Sequence, residues 1–214
     1  MKNGDICKTN KCGNLKVVKY INSRNVIVEF IDTGYRTTTQ AVNINKGNVK
    51  DPMRPSTHGI GYIGVGIYKS KSKAYSIWTL MLYRCYSKKS LERNPAYGDC
   101  SVSKDWHNFQ NFAKWYEENH KYGYELDKDL LVIGNRVYSK GTCIFVPPKL
   151  NCFITNGIAS SSKGTIGVTY RRQIKKYVAR CGGGGGLKNI WGILIIPTKH
   201  IWHGRAISYN LLVK

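Results

Sequence analysis

The sequence has few acidic side chains and no long apolar run. Among its 214 residues, 12 Asp and Glu stand against 34 Lys and Arg, which leaves a formal net charge of +22. A membrane-spanning helix needs about 18 consecutive apolar residues, and the opening MKNGDICKTNK contains no apolar segment. We therefore expect neither a membrane span nor a secretion signal. A positive charge of this size favours a polyanionic partner, because without one it opposes a compact chain.

The seven cysteines are not arranged in close pairs. No Cys-x-x-Cys occurs, although structural zinc sites usually contain such a pair. Cys85, Cys100 and His107 could in principle gather around a zinc ion, but buried free thiols are the default for scattered cysteines. The odd count without a secretion signal favours reduced thiols in a cytosol-like compartment.

Residues 1–52 are predicted to form a small β module. The β-branched runs Leu15–Ile21 and Val26–Ile31 are separated by the short polar loop at 22–25, which predicts a hairpin. A third candidate strand spans Tyr35–Ala41. Three short strands within about fifty residues suggest a small SH3-like barrel, a fold that binds nucleic acid or peptides.

The middle of the chain changes from linker to helix. Residues 53–75 are rich in Gly and Lys, which is typical of a linker. In the following helical part, Trp106, Phe109, Phe112, Ala113 and Tyr116 recur at spacings of three and four, which predicts an amphipathic helix facing a core.

The segment from Glu125 to Phe153, within a predicted domain 76–155, carries most of the possible chemistry. A strand over Tyr124–Val132 places Asp127 and Asp129 on the same face. A turn at residues 133–136 and a second strand, Val137–Ser139, complete a predicted hairpin. Pro147-Pro148 then favours a helix start, with Asn151 in its first turn.

This segment resembles the HNH motif of phage homing endonucleases, a ββα unit that holds one divalent cation. The preceding WTLMLYRCYS and NPAYGDCSVSKDWHNFQNFAKWY are similar to the lead-in of the same phage proteins. The resemblance implies that Asp127 and Asn151 bind Mg²⁺ or Mn²⁺. It implies catalytic roles for Asp127, Lys128, Asp129 and Asn135.

The chain departs from the family pattern at Lys128, where many members have a His as general base. A lysine can serve as base only with a strongly lowered pKa. A water molecule or Asp129 could substitute for it.

Residues 156–186 are predicted to contain a linker followed by two strands around a basic turn. Their pattern, GVTYRR followed by KKYVAR, resembles the start of the Apetala-type DNA-binding domain, which phage homing endonucleases also carry. That domain places a three-stranded sheet in the major groove. The resemblance implies DNA contacts from Tyr170, Arg171, Arg172, Lys175, Lys176 and Arg180.

The tail at 187–214 does not continue that pattern. Five consecutive glycines precede it and favour a flexible joint. The tail can be reverse-translated from Lys188 into A/T-rich codons and read again with the frame shifted by two bases. One permitted reading resembles the third strand and the helix that the Apetala-type domain would have here. We therefore expect a frameshifted, irregular end that leaves the domain incomplete, with a divergent tail as the alternative.

Together these patterns predict a modular α+β protein: a small β barrel, a helical and ββα domain, and a partial three-stranded sheet. The function they favour is that of a metal-dependent endonuclease that cleaves or nicks phage DNA in the bacterial host cytoplasm, in association with the nucleoid. The alternative is a catalytically inactive nucleic-acid-binding protein. A third, a phage factor that binds a host protein through the barrel, also stays open.

Overall fold

The structure is a computed structural model, and it describes residues 1–132, 134–148, 151, 168–171, 176–179 and 194–196. These residues belong to two compact units. The first comprises Met1–Tyr122 and Leu126–Phe145, and the second comprises Gly123–Glu125 and the part of the chain from Val146 onward. The mixed α+β class that the sequence predicts is confirmed.

The first unit begins with a four-stranded antiparallel sheet whose strands lie side by side in chain order, followed by a short helix. Alternate residues of the two central strands point into one core, as the period of a half-buried strand requires. A register shift after Val17 interrupts the pairing of these two central strands. The elements are β1 (Ile6–Lys8), β2 (Asn14–Asn22), β3 (Asn25–Phe30), β4 (Arg36–Thr39) and α1 (Ala41–Asn45). Their core consists of Leu15, Val17, Val26, Val28, Phe30, Ile44 and Val49.

A second core forms where α2 (Lys73–Tyr86) packs with α4 (Phe109–Asn119). The helix α3 (Lys88–Arg93) lies between them in the chain. Side-chain caps begin the two longer helices: the Ser72 hydroxyl accepts from the amide of Tyr75, and Asn108 accepts from that of Gln110. Buried residues recur at spacings of three and four on both helices, so each turns one face inward. They include Trp78, Met81, Leu82, Phe109, Phe112 and Ala113.

The Gly-rich segment that the sequence predicts as a linker packs against this second core. The amide of Tyr62 donates to the carbonyl of His107 at 2.9 Å, and the amide of Phe109 donates back to the carbonyl of Tyr62 at 2.9 Å. Gly61 approaches so closely that an added Cβ would lie 2.7 Å from the ring of Trp78 and against Leu82. The segment therefore connects the two cores while contributing to one of them.

The two strands of the predicted ββα hairpin pair with other partners. The strand β6 (Glu125–Asp127) forms a two-stranded sheet with β8 (Ile144–Val146). The strand β7 (Val137–Tyr138) instead pairs in parallel with β5 (Ser101–Val102). The predicted hairpin between 124–132 and 137–139 is therefore wrong, because the chain leaves β6 at Asp127 in a side-chain-capped turn. A helical turn does begin at Pro148, after β8.

The second unit contains a three-stranded antiparallel sheet in which Lys176–Ala179 is the central strand. The strands β9 (Val168–Arg171) and β10 (Lys176–Ala179) match the two that the sequence predicts in this region. The strand β11 (Leu194–Ile196) lies within the tail that we expected to be irregular. Its Leu-Ile-Ile run has the β-branched character that favours a strand, so this part of the tail departs from the prediction.

None of the helices in the described ranges combines the length and the apolar content that crossing a bilayer requires.

Gly61 provides a test of the packing between the Gly-rich segment and the second core. Substitution Gly61→Ala places a methyl group against Trp78 and Leu82, and overpacking of this kind costs about 1–3 kcal/mol. We expect a lower free energy of unfolding in denaturant titration. The matched control is Gly141→Ala, because an added Cβ meets nothing within 4 Å there. Equal stability of the two variants would contradict the packing.

Two thiols in the second core predict alkaline destabilisation. Cys85 and Cys143 are each 4% exposed, and burial raises the pKa of each thiol from 9.0 to about 12. The pKa of each thiol is higher in the folded state than in the unfolded state. The stability that comes from keeping these thiols protonated is therefore fully present below about pH 9 and is lost as pH rises towards 12. We expect the free energy of unfolding to fall by up to about 1.4 kcal/mol per pH unit per thiol in this window.

The measurement is denaturant unfolding at several pH values between about 8 and 11. The variant Cys143→Ala removes one titrating thiol, so its stability should fall less steeply with pH than that of the parent. Parallel curves for the two proteins would contradict the assignment.

Candidate metal and nucleic-acid site

Asp127 ends β6 and holds the turn that follows it. Its Oδ1 accepts hydrogen bonds from the amides of Asp129 at 2.9 Å and Leu130 at 2.7 Å. A carboxylate in this position offers the backbone an alternative to continued strand pairing, so the strand stops here. Within the described residues, no hydrogen bond reaches the other oxygen, Oδ2. The half-buried side chain therefore keeps one oxygen available to a ligand.

Lys128 is buried, with 7% of its surface exposed. Its ammonium group donates to Asp129 Oδ1 at 2.6 Å and to the carbonyl of Asn135 at 3.2 Å. The same group lies 5.8 Å from the centroid of the Tyr138 ring. The cationic head is thus held by a carboxylate, a carbonyl and an aromatic face.

These contacts decide the protonation state of Lys128. Burial alone lowers the pKa of an ammonium group, but the hydrogen bond and the charge of Asp129 act in the opposite direction, and the net pKa of Lys128 is raised. A general base must be deprotonated at the working pH. Lys128 is therefore a protonated, structural cation here, and the lowered pKa that a base role would require is not provided.

Asn135 stabilises the loop between β6 and β7. Its Nδ2 donates to the carbonyls of Lys128 and Val137, each at 2.8 Å, and its Oδ1 accepts from the amide of Val137 at 3.1 Å. Three bonds to backbone groups use most of what one amide side chain can form. The structure thus gives Asn135 a role in the loop, and brings it together with Lys128 and Asp129.

Asn151, the other predicted metal ligand, lies in the second unit. Its backbone amide donates to the carbonyl of Pro147 at 3.1 Å, which is the bond of a first helical turn. Its Nδ2 donates to Glu125 Oε2 at 2.9 Å. This partner was not identified from the sequence, where Glu125 is only the first residue of the segment Glu125–Phe153. The carboxylate orients the amide, and of the two amide atoms only the oxygen is a ligand for a hard cation.

The cysteine and histidine side chains considered for zinc take other roles. Cys85 and Cys100 are buried free thiols, and the His107 ring nitrogen Nε2 lies 3.0 Å from the carbonyl of Val102. Across the described ranges, no group of three His, Cys, Asp or Glu side chains is arranged to hold a metal ion.

The predicted DNA contacts are only partly within the described residues. Tyr170 and Arg171 lie in β9 and Lys176 lies in β10, where Arg171 is opposite Lys176 in the register. Arg172, Lys175 and Arg180 lie outside the described residues. In the first unit, the N-terminal sheet presents exposed Lys16 and Lys19.

A resemblance to phage nucleases thus rests on the sequence motifs alone. Comparison of the chain with protein-family models, with curated proteins and with solved structures gives no match.

Proposed function

We propose that this protein binds double-stranded DNA through its surplus of basic side chains. The observation that carries the proposal is the number of basic side chains relative to acidic ones. Even if each of the 12 carboxylates paired with a different cation, 22 of the 34 Lys and Arg side chains would lack a carboxylate of their own chain. A phosphate backbone supplies regularly spaced negative charge to such a surface.

The arrangement of the acidic side chains supports this proposal. Asp129 neutralises the buried Lys128, and Glu29 pairs with Arg36 at 2.7 Å. Asp127 is hydrogen-bonded to backbone amides. With all 12 carboxylates counted, the formal net charge is still +22, so the field of the whole chain attracts polyanions. DNA rather than another polyanion is favoured by the motif resemblance, which is to phage proteins that act on DNA.

The first test is the salt dependence of binding. Each neutralised phosphate releases counterions, so several contacts should weaken binding by roughly a hundredfold or more between 50 and 200 mM salt. Fluorescence anisotropy with a labelled duplex, repeated across this range, measures the slope. An affinity that does not change with salt would remove DNA as the main partner. Single-stranded DNA and duplex RNA of the same length provide the comparison for preference.

A second candidate function is metal-dependent nicking of DNA. The specific observation that favours it is the Asp127 carboxylate, which is oriented by two backbone amides while its Oδ2 has no hydrogen bond within the described residues. Mg²⁺ and Mn²⁺ prefer oxygen ligands, which the Asp127 carboxylate can supply. When bound, such a cation would stabilise the charge that develops at the leaving oxygen.

The protonated Lys128 limits how this chemistry could proceed. Since its ammonium group is paired with Asp129, the activation of water would fall to a water molecule acting as base rather than to Lys128. Binding of DNA without cleavage is therefore the first proposal.

Asp127→Asn tests the second candidate without disturbing the turn. The amide oxygen of Asn can still accept from the backbone of residues 129 and 130, whereas its loss of charge weakens a divalent cation site. We expect any nicking of supercoiled plasmid in Mg²⁺ or Mn²⁺ to fall to background, with DNA affinity unchanged or slightly higher. Asp99→Asn is the control, because it removes the same charge from an exposed acid of the first unit.

Nicking by Asp127→Asn at the rate of the parent would show that Asp127 is not part of the site. A parent that does not nick with either metal would remove the second candidate and leave DNA binding as it stands.

A further inference from the structure

The bend at residues 65–67 presents two aliphatic side chains to solvent. Val65 is 64% exposed and Ile67 is 78% exposed, the latter among the most exposed apolar side chains of the described residues. Isolated exposed aliphatic residues are common and need no explanation. A pair on one tight bend differs from them if the bend is held rigidly and its surroundings match one kind of ligand. Here the bend is held by several hydrogen bonds, and three exposed lysines follow it in the chain.

The bend is fixed by the buried amide of Gln110, in the first turn of α4. Its Nε2 donates to the carbonyls of Ile63 at 3.0 Å and Tyr68 at 3.1 Å, and its Oε1 accepts from the amide of Tyr68 at 3.0 Å. With 8% of its surface exposed, Gln110 is shielded from water, so these bonds are not readily exchanged. The chain on both sides of the bend is thus tied to one side chain.

Further bonds hold the two ends of the bend. The amide of Gly64 donates to the carbonyl of Pro52 at 2.9 Å. The Tyr68 hydroxyl donates to Glu117 Oε2 at 2.9 Å. Hydrogen bonds thus hold the bend at Gly64 before it, at Tyr68 after it and through the side chain of Gln110.

Two glycines allow this close approach. Gly64 has φ +73°, and a Cβ there would collide with the Asn108 side chain. A Cβ at Gly66 would collide with the Gln110 amide. The backbone therefore wraps around Gln110, and the side chains of the alternate positions, Val65 and Ile67, extend outward. A bend held in this way gives up little conformational freedom when it binds a partner.

The charged side chains that follow the bend in the chain are all positive, whereas α4 places Glu117 and Glu118 near Tyr68. Lys69, Lys71 and Lys73 lie within six residues of Ile67, and all three are exposed. Aliphatic side chains beside cations match a DNA duplex, where the bases are apolar between two phosphate backbones. Proteins that kink DNA insert apolar side chains between base pairs while basic residues contact the flanking phosphates.

We propose that Val65 and Ile67 form a wedge that inserts between base pairs of duplex DNA, while Lys69, Lys71 and Lys73 bind the adjacent phosphates. The proposal rests on the DNA binding proposed above and assigns it a contact surface in the first unit. It predicts that bound DNA is bent, because partial unstacking at the wedge kinks the duplex.

The experiment measures affinity, salt dependence and bend angle for the full chain on a short A/T-rich duplex, with the bend measured by energy transfer between dyes at the two ends. The wedge variant is Val65→Ser/Ile67→Ser. Its matched control, Ile6→Ser/Val42→Ser, removes one exposed Ile and one exposed Val elsewhere in the first unit. The charge variant is Lys69→Gln/Lys71→Gln. All positions are exposed, so melting temperatures should stay equal to that of the parent.

The three variants should separate the two kinds of contact. We expect the wedge variant to bind about tenfold more weakly, with the bend reduced and the salt slope unchanged. The charge variant should lower the salt slope by about 2, because each substituted lysine leaves one phosphate without a cation. The control should match the parent in all three measurements.

The outcomes distinguish the wedge from the DNA binding on which it rests. A parent that binds in a salt-dependent manner without bending DNA, or a wedge variant that bends it as the parent does, overturns the wedge alone. Absence of salt-dependent binding by the parent overturns both. If the wedge variant instead loses self-association in sedimentation while its DNA bending is unchanged, the bend contacts a second copy of the chain, and the wedge is likewise overturned.

Discussion

The second core depends on one buried hydrogen bond, from the Trp78 indole to the carbonyl of Trp106 at 2.7 Å. Trp78 lies on α2 and Trp106 lies just before α4, so the bond joins the two helices at a point where both side chains are shielded from water. An indole N–H without a partner in such a place would cost about 1–3 kcal/mol. Aromatic rings pack around this hydrogen bond. The ring centroids of Phe109 and Trp78 are 5.4 Å apart, and those of Phe112 and Trp106 are 5.0 Å apart in an edge-to-face arrangement. Because Gly61 fits against Trp78, the Gly-rich segment has a defined path only where this core is formed.

The polar side chains at the edges of that core have mostly structural partners. Gln110 bonds to the loop before α2, Asn108 caps α4, and Asn135 holds the loop before β7. Asn and Gln occur both as ligand-binding residues and as structural hydrogen-bonding residues, and a sequence motif does not distinguish the two roles. The difference lies in how many of their hydrogen-bond groups are already used by the backbone, which is a property of the fold and not of the residue type.

Lys128 shows the same distinction for charge. The motif resemblance aligns Lys128 with a position where many homing endonucleases have a base, and the chemistry of a lysine depends on whether its surroundings favour the neutral or the charged form. Burial would favour the neutral form, but Asp129 is the next residue and its carboxylate lies 2.6 Å from the ammonium group. Lys128 therefore keeps its proton, and its ammonium group bonds to Asp129 and to the carbonyl of Asn135 in the loop.

Local patterns were sufficient for several features of this protein. Alternation predicted the two central strands of the N-terminal sheet, helical spacing predicted the buried face of α4, and composition alone established the surplus of positive charge. Each of these depends on neighbours close in sequence or on simple counts. The partners of β6 and β7, the third strand contributed by Leu194–Ile196, and the contacts of Asn151 and Gln110 depend on residues distant in the chain. Only the tertiary structure decided these, because strand pairing and buried hydrogen bonds are chosen among distant alternatives by packing and by the need to satisfy every polar group.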